Sequence, residues 1–327
     1  MVSENQNLPR LAVAVTRALP AQVLELFRNR HDIWVNPHDR SLTAQELQQM
    51  AGDADAMVVT AFDRLDADAI GRLPARLRIL ATYSVGIEHI DLEAAAHRGI
   101  AVLSTPDVLS NSVAEMAILL TLGAARRVRE AEALLYGNAW SGWTPTQLIG
   151  IELTGQRIGI VGMGHIGRTI ARRARGFDMS VHYHNRHRLG AELEENATYH
   201  PTFEGLLAVS DVLVLAAPST PHTKGLLNTV SIEQLPANAI VVNIARGDLI
   251  DDDALIGALR SGRIAGAGLD VFNNEPRLDA RFLALPNVFL QPHQGSSTLA
   301  ARLKMARILL AGIDGILAGS RPPNRVV

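Results

Sequence analysis

Three polar side chains in the second half of the chain could together carry out proton and anion chemistry. Arg246, Glu275 and His293 each lie at or just after the end of an apolar run that predicts a β-strand. Because open α/β sheets bind ligands at the carboxyl ends of their strands, we expect these residues at one edge of a sheet. An arginine can bind a carboxylate and polarise the carbonyl next to it, and a histidine can transfer a proton near neutral pH when a carboxylate favours its charged form. Taken singly, each residue is explained equally well as a surface, turn or capping residue.

An apolar run that ends in regularly spaced glycines predicts a dinucleotide-binding turn. Residues 158–167 read Ile-Gly-Ile-Val-Gly-Met-Gly-His-Ile-Gly, and helix-forming residues follow to Ala174. Gly162 would allow the tight turn, Gly164 would let the backbone approach a pyrophosphate, and Gly167 would let the helix pack closely on the strand. The pyrophosphate would bind at the helix N-terminus, where unpaired N–H groups favour an anion. The residues expected to contact the cofactor here are Gly162, Gly164, His165, Ile166 and Gly167.

The end of the next strand indicates which dinucleotide is bound. NAD sites usually carry an acidic residue there for the ribose hydroxyls, whereas this chain has Asn185-Arg186-His187-Arg188. An arginine can pair with a 2′-phosphate through two parallel hydrogen bonds, and a carboxylate would repel that phosphate. The alternative is two solvated arginines on a loop. We expect Asn185, Arg186 and Arg188 to bind a cofactor that is NADPH by preference, with NADH possible.

Composition excludes several classes of function. The net charge of −2, without a basic stripe, gives no electrostatic footprint for nucleic acid. The absence of cysteine excludes disulfides, thiolate metal sites and cysteine nucleophiles. There is no signal peptide, and the most hydrophobic segment, residues 114–122, is too short to span a membrane. We expect a cytoplasmic protein without membrane or nucleic-acid partners, and disorder only in the polar residues 1–7.

Short apolar runs alternate with helical patterns almost throughout, which predicts parallel α/β architecture. The predicted fold is two Rossmann-like, doubly wound parallel-sheet domains with an active-site cleft between them. Because the glycine turn normally opens its domain, a separate α/β unit must precede it. The expected strands cover residues 11–15, 57–59, 78–81, 100–103, 158–161, 181–183, 212–216, 240–243, 267–269 and 288–290.

Two crossings between the domains are expected, because the chain leaves the first domain and then returns to it. A flavodoxin-like substrate-binding domain would comprise residues 1–104 and 291–327, and a dinucleotide-binding Rossmann domain residues 105–290. The first boundary lies near Thr105-Pro106, since proline disfavours helix in the residue before it. Ser112 and Glu115 have the spacing of a capping box that would open a long linking helix. A final helix over residues 297–317 would pack back onto the first domain.

The motifs together resemble those of the D-isomer-specific 2-hydroxyacid dehydrogenase family. The resemblance covers residues 84–298 in the family's order and approximate spacing, while the first eighty residues match only in general pattern. Within the family the chain is most similar to the NADPH-preferring glyoxylate/hydroxypyruvate reductases. The matching segments are residues 84–91 (Ser-Val-Gly-Ile-Glu-His-Ile-Asp), 105–109, 162–167, 243–247, 268–271, 275–276 and 292–296.

This resemblance implies reduction of a small 2-oxo acid, glyoxylate or hydroxypyruvate, to the D-2-hydroxy acid by hydride from NADPH. His293 would be the proton donor, Glu275 would orient it, and Arg246 would bind the substrate carboxylate and carbonyl. The backbone amides of Val85 and Gly86 would hold the carboxylate. Further cofactor contacts are implied for Ala217, Pro218, Ile244, Ala245, Asp270, which would meet the nicotinamide carboxamide, and Gly295. Other substrates of the same family (2-ketogluconate, a phosphonate or phosphite, a longer 2-oxo acid) and a non-catalytic dinucleotide sensor are the alternatives.

Three features lie outside this assignment. Gln294 departs from the apolar residue that many relatives have after the histidine, and its side chain either hydrogen-bonds near the acid or points to solvent. Trp140 and Trp143 fall in a region that forms an arm across a homodimer in relatives, where a tryptophan either reaches the partner's site or only buries apolar surface. His182, His184 and His187 have no flanking carboxylate or cysteine, so we expect no metal.

Overall fold

The computed structural model describes residues 8–327, and the disorder expected for residues 1–7 lies outside that range. The chain forms two compact units. The first comprises the residues up to Leu109 together with Ser297–Val327, and the second comprises Ser110–Ser296. The boundaries predicted at residues 104 and 290 lie a few residues earlier in the chain than these limits.

The first unit contains a five-stranded sheet in which every strand runs parallel to its neighbours. Its strand order, β2-β1-β3-β4-β5, is the flavodoxin-like order. The strand β2 was missed in the sequence because it lies at the edge and has no fully buried residue, so its residues need not be uniformly apolar. The strands are β1 (Ala12–Val15), β2 (Asp32–Val35), β3 (Ala56–Val59), β4 (Ile79–Thr82) and β5 (Ala101–Leu103).

Five helices belong to the first unit. Side chains of Thr43, Asp66, Asp91 and Thr298 accept hydrogen bonds from first-turn N–H groups of four of them, which satisfies donors that a helix leaves unpaired. The last helix packs against the first one and β4, as predicted for a returning segment. The helices are α1 (Ala21–Arg30), α2 (Ala44–Ala51), α3 (Ala67–Arg72), α4 (Leu92–His97) and, from the end of the chain, α12 (Leu299–Leu317).

The second unit contains a seven-stranded parallel sheet in the order β12-β11-β10-β9-β6-β7-β8. The central strands are buried on both faces, as parallel sheets covered by helices require. The sequence missed β8 because it has only two residues. The strands are β6 (Arg157–Val161), β7 (Ser180–His184), β8 (Thr198–Tyr199), β9 (Val212–Leu215), β10 (Ile240–Asn243), β11 (Gly266–Leu269) and β12 (Val288–Leu290).

The long helix of the second unit begins earlier than its predicted cap. It starts at Ser110, so Ser112 is buried inside its first turn and is not the N-cap. The chain turns just before it, at Asp107 with φ +64°, and this turn sets the start of the helix. The helices of the unit are α5 (Ser110–Ala125), α6 (Val128–Tyr136), α7 (His165–Arg175), α8 (Ala191–Glu194), α9 (Phe203–Leu207), α10 (Thr229–Ile232) and α11 (Asp252–Ser261), with 3₁₀ turns at Gly247–Leu249 and Ala280–Ala284.

The two parallel sheets confirm the predicted fold class. Because all strands of the second unit point the same way, the loops after β6, β9, β10, β11 and β12 leave the sheet at one edge. Those loops carry most of the residues that the sequence singled out. No helix within residues 8–327 is long and apolar enough to cross a membrane.

Candidate active site

His293 and Glu275 form a hydrogen-bonded pair in the second unit. His293 Nδ1 lies 2.7 Å from Glu275 Oε2. The other carboxylate oxygen, Oε1, accepts the backbone N–H of Phe272 at 2.8 Å, so the carboxylate is fixed at both oxygens. The Glu275 side chain is mostly buried, whereas that of His293 is 39% exposed. The pair therefore holds one imidazole nitrogen from inside the protein and leaves the ring partly open to solvent.

Glu275 is kept ionised despite its burial. Burial is the largest influence and raises the pKa of Glu275, whereas the hydrogen bond and charge of His293 lower it. The Phe272 N–H and the charge of Arg246 lower it further, and together these effects place the pKa of Glu275 below its usual range. Glu275 therefore carries a negative charge at neutral pH beside the imidazole of His293.

The loop that carries His293 is anchored by Asp270, which follows β11. His293 has a left-handed backbone with φ +54°, and its N–H donates to the Asp270 carbonyl oxygen at 2.8 Å. The buried Asp270 carboxylate accepts the N–H groups of Gln294 at 2.6 Å and Gly295 at 2.7 Å. Burial raises the pKa of Asp270, although these two bonds oppose the shift. Both oxygens of Asp270 thus position the histidine loop, and the Gln294 side chain is exposed.

Arg246 lies in a turn that Asn243 closes at the end of β10. The Asn243 side chain is fully buried; its Oδ1 accepts the Ala245 N–H at 3.0 Å and its Nδ2 donates to the Arg246 carbonyl oxygen at 2.8 Å. Ile244 lies inside the same turn, so the two hydrogen bonds of Asn243 hold residues 244–246 together. The sequence did not assign Asn243 this role, although an asparagine two residues before a loop alanine is a known turn signal.

Gly247 lets the arginine turn approach the strand that leads to Glu275. A Cβ at Gly247 would lie 2.0 Å from the carbonyl carbon of Phe272 and 2.3 Å from the Asn273 nitrogen. Real side chains do not tolerate such distances, so only glycine fits. This backbone contact brings the Arg246 turn beside the segment 272–275, and the Arg246 charge acts on Glu275 there.

The glycine turn has the geometry that a dinucleotide needs. Gly162 has φ +94°, and a Cβ there would lie 2.7 Å from the Ala217 nitrogen, so the turn abuts the Ala217-Pro218 segment after β9. A Cβ at Gly167 would lie 2.3 Å from the Gly162 carbonyl oxygen, so α7 packs directly on the turn. Gly164 faces open space and precedes α7, an 11-residue helix beginning at His165 and Ile166. The backbone is therefore open to a pyrophosphate at a helix N-terminus.

The three cofactor-binding residues predicted after β7, Asn185, Arg186 and Arg188, make different contacts. Asn185 Oδ1 accepts the Met163 N–H at 2.7 Å, which ties this loop to the glycine turn. Arg188 forms a two-pronged ion pair with Glu194, at 2.9 and 3.0 Å. Arg186 is exposed and makes no hydrogen bond or ion pair with any residue in the described range 8–327. Arg186 is thus the cation of this loop that is available for a phosphate.

Val85 and Gly86 lie in the first unit, in the turn after β4. The Ser84 hydroxyl donates to the Gly86 carbonyl oxygen at 2.6 Å, and the Ser84 carbonyl oxygen accepts the Thr105 N–H at 3.0 Å. Val85 is 40% exposed, and within residues 8–327 its N–H and that of Gly86 donate to no protein acceptor. Consecutive N–H groups with no acceptor in that range are an arrangement that can bind an anion.

The remaining predicted features are placed as follows. His182 Nδ1 lies 3.0 Å from His200 Nε2, and His184 Nδ1 lies 2.9 Å from the His200 carbonyl oxygen. No group of three or more potential ligand residues within the described part of the chain could hold a metal ion. Trp140 and Trp143 are 55% and 78% exposed.

Comparisons with known proteins identify the family that this site belongs to. Residues 118–295 match the model of the NAD-binding domain of D-isomer-specific 2-hydroxyacid dehydrogenases. The chain is 39% identical over 310 residues to a glycerate dehydrogenase of Hyphomicrobium methylovorum, covering 94% of this chain and 96% of that one. The chain belongs to the D-isomer-specific 2-hydroxyacid dehydrogenase family. It is therefore an oxidoreductase with an NAD-binding domain.

Further similarities support this membership along the whole chain. A glyoxylate reductase of Thermococcus gammatolerans is 40% identical over 319 residues, which cover 96% of this chain and 95% of that one. A solved structure of an NADPH-dependent glyoxylate/hydroxypyruvate reductase from Sinorhizobium meliloti, in complex with NADP and malonate, is similar with a TM-score of 0.85 and 31% identity. That similarity covers 98% of this chain and 97% of the other.

The contact at Gly247 generates a prediction. Gly247→Ala would force the arginine turn away from the Phe272 backbone, so we expect at least about a tenfold loss of dehydrogenase activity and a lower unfolding temperature. Gly257→Ala is the matched control, because a Cβ there meets nothing within 4 Å and alanine favours the helix. Steady-state rates and thermal unfolding of both variants check this. Wild-type activity in Gly247→Ala would contradict the role of the contact.

Proposed function

We propose that this protein reduces a small 2-oxo acid, with glyoxylate and hydroxypyruvate as the leading substrates, to the D-2-hydroxy acid, and that NADPH is its preferred cofactor. The observation that carries the proposal is the 2.7 Å pair of His293 and Glu275, with Arg246 acting on the same carboxylate. An acid, its orienting base and a cation for an α-carboxylate are the groups that such a reduction needs. The names of the similar proteins from Hyphomicrobium, Thermococcus and Sinorhizobium support the same substrate class.

The residues of the site would divide the chemistry among them. Because Glu275 holds Nδ1, the opposite nitrogen of His293 would deliver the proton to the carbonyl oxygen. Arg246 would bind the carboxylate and stabilise the negative charge that develops on that oxygen. The N–H groups of Val85 and Gly86 would donate hydrogen bonds to the carboxylate oxygens. Asp270 would act chiefly by holding the His293 loop, since both its oxygens already accept backbone N–H groups.

The second unit fits a dinucleotide through its turn of glycines, the helix N-terminus after Gly164 and the exposed Arg186. Gly162, Gly167, Ala217 and Pro218 form the surface of that turn, and Ile244, Ala245 and Gly295 lie in neighbouring loops. A reduced nicotinamide cofactor would supply the hydride. The preference for the 2′-phosphorylated form rests on Arg186 and on the absence of an acidic residue after β7.

The proposal also covers the oligomeric state of the protein and its location in the cell. Five large apolar side chains are exposed on α6 and the segment after it, which supports a homodimer through this region; they are Leu135, Tyr136, Trp140, Trp143 and Ile149. A tryptophan of this region would then narrow the substrate pocket or only bury apolar surface. Cytoplasmic location stays a prediction from the sequence.

The experiment that tests the function follows the reduced-nicotinamide absorbance with purified protein and glyoxylate. We expect rapid oxidation of NADPH, a loss of turnover of about 10²-fold or more in His293→Ala, and a severe loss in Arg246→Ala. Oxidation must yield glycolate in equal amount, which chromatography checks. If glyoxylate, hydroxypyruvate and longer 2-oxo acids all leave NADPH and NADH unchanged, the proposal is wrong.

The charge of Glu275 predicts a change in pH dependence. Because the pKa of Glu275 is lowered, its carboxylate stays charged across the assay range. Glu275→Gln keeps the shape but removes the negative charge beside the proton donor, so the alkaline fall in kcat/KM should move to lower pH. Profiles from pH 5.5 to pH 9 measure this. A variant with the wild-type profile would remove Glu275 from proton transfer.

The two arginines after β7 give a matched pair for cofactor choice. Arg186→Ala should raise KM for NADPH by roughly 10- to 150-fold and leave KM for NADH almost unchanged, because a charged hydrogen bond to phosphate contributes about 1.5–3 kcal/mol. Arg188→Ala should affect both cofactors alike, since its guanidinium is already paired with Glu194. Equal effects of Arg186→Ala on the two cofactors would refute the 2′-phosphate contact.

A further inference from the structure

A chain of hydrogen bonds runs from His89 to the turn that contains Val85 and Gly86. His89 Nε2 lies 3.0 Å from Thr82 Oγ1, and Thr82 Oγ1 lies 2.6 Å from Ser84 Oγ. Ser84 Oγ in turn lies 2.6 Å from the Gly86 carbonyl oxygen. Thr82 is fully buried and Ser84 and His89 are partly buried, so the chain is largely shielded from solvent. All of its members belong to the first unit.

The direction of every bond in this chain follows from counting protons. A carbonyl oxygen only accepts, so the single Ser84 hydroxyl proton is donated to Gly86. Ser84 Oγ must then accept the only hydroxyl proton of Thr82. Thr82 Oγ1 has no proton left for the histidine, so it accepts from His89 Nε2–H. The chain therefore requires a proton on Nε2 of His89, in either its neutral or its charged form.

The end of the chain restrains a residue that would otherwise be mobile. Gly86 has no Cβ, so its backbone has wide conformational freedom. The hydrogen bond from Ser84 Oγ to the Gly86 carbonyl oxygen closes a ring that contains the backbone nitrogens of Val85 and Gly86, so it restrains the orientation of both N–H groups. Those N–H groups have no protein acceptor within residues 8–327. An anion that binds them gains affinity when they are already oriented.

The same strand end is also held by a separate contact. Tyr83 lies between Thr82 and Ser84, just after the end of β4, and its hydroxyl has a different partner from theirs. The Tyr83 hydroxyl donates to the Arg302 carbonyl oxygen at 2.5 Å, and the Arg302 guanidinium lies over its ring, 5.9 Å from the centroid. This contact fixes the strand end but does not reach the Gly86 carbonyl. Orientation of that carbonyl depends on the chain that begins at His89.

We propose that His89 is a positioning residue that, through Thr82 and Ser84, orients the Val85 and Gly86 N–H groups for the substrate carboxylate. This inference rests on the proposed function, because it takes those N–H groups as the carboxylate site. His89 touches neither substrate nor cofactor in this role. Its effect should therefore fall on the binding of carboxylates and leave the proton-transfer step unchanged.

The kinetic test compares three variants with a control. His89→Phe and Thr82→Val break the chain and should raise KM for glyoxylate, and the inhibition constant of oxalate, by roughly three- to tenfold, the effect of one net hydrogen bond. We expect kcat and KM for NADPH to change less than about twofold. His89→Gln supplies an amide N–H near the position of Nε2 and should restore KM to near the wild-type value. His97→Phe, at an exposed histidine on α4, is the control and should change nothing.

The same comparison can overturn the proposal. Wild-type KM in both His89→Phe and Thr82→Val would show that the chain does not affect carboxylate binding. A glutamine variant as impaired as the phenylalanine variant would show that His89 acts through packing alone. A fall in kcat and in kcat/KM by the same factor, with KM unchanged, would assign the effect to the chemical step and overturn the proposal.

A second measurement separates this inference from the proposed function. The ¹⁵N–¹H correlation spectrum of histidine-labelled, unliganded protein at pH 8, with His89 assigned from the His89→Gln spectrum, reports which nitrogen carries the proton. We expect the Nε2–H form, and the Nδ1–H form would overturn the chain. A wild-type protein that reduces no 2-oxo acid would refute the proposed function and the carboxylate role, while the tautomer would still decide the hydrogen-bond chain itself.

Discussion

The parallel alignment of the strands in the second unit is the constraint on which the candidate site depends. Parallel strands deliver their carboxyl ends to one edge, so residues far apart in sequence meet in the loops there. Asn243, Asp270 and His293 lie at or just after the ends of three neighbouring strands. The Asn243 side chain bonds the backbone of its own turn, and Asp270 accepts backbone N–H groups from the loop that carries His293. The edge is therefore a set of loops that hold one another through buried hydrogen bonds.

Close approach of backbones is the second requirement of this edge. Gly162 and Gly247 lie where another segment passes at a distance that no Cβ allows, and Gly167 plays the same part for α7. These backbone contacts also determine where the charged side chains of the site lie. Glu275 keeps its negative charge because His293, the Phe272 N–H and Arg246 together lower its pKa by more than burial raises it. Position and charge thus arise from the same contacts, because the Gly247 approach is what brings the Arg246 turn beside residues 272–275.

The anion-binding features of the two units share one physical basis. At Gly164 and at Val85-Gly86, the backbone N–H groups donate to no acceptor in residues 8–327. Such groups bind anions through fixed dipoles and do not need a charged side chain. Their affinity for an anion depends on how the N–H groups are oriented. The helix α7 orients them after Gly164, and the hydroxyl groups of Thr82 and Ser84 do so at Gly86. In the second unit the exposed Arg186 adds a positive side chain to the same end of the sheet.

The sequence by itself determined the fold class and the glycine turn, and it predicted the residues that would carry chemistry. These follow from local patterns, since apolar periodicity, glycine spacing and strand ends are written in consecutive residues. It missed β2 and β8, because edge strands need no apolar run, and it misplaced the start of α5 at Ser112. Only the tertiary structure separated Arg188, paired with Glu194, from the exposed Arg186. It alone also showed that both carboxylate oxygens of Asp270 accept backbone N–H groups, and that hydrogen bonds link His89 to Gly86. These contacts could not be predicted, because they depend on which groups meet in the folded protein.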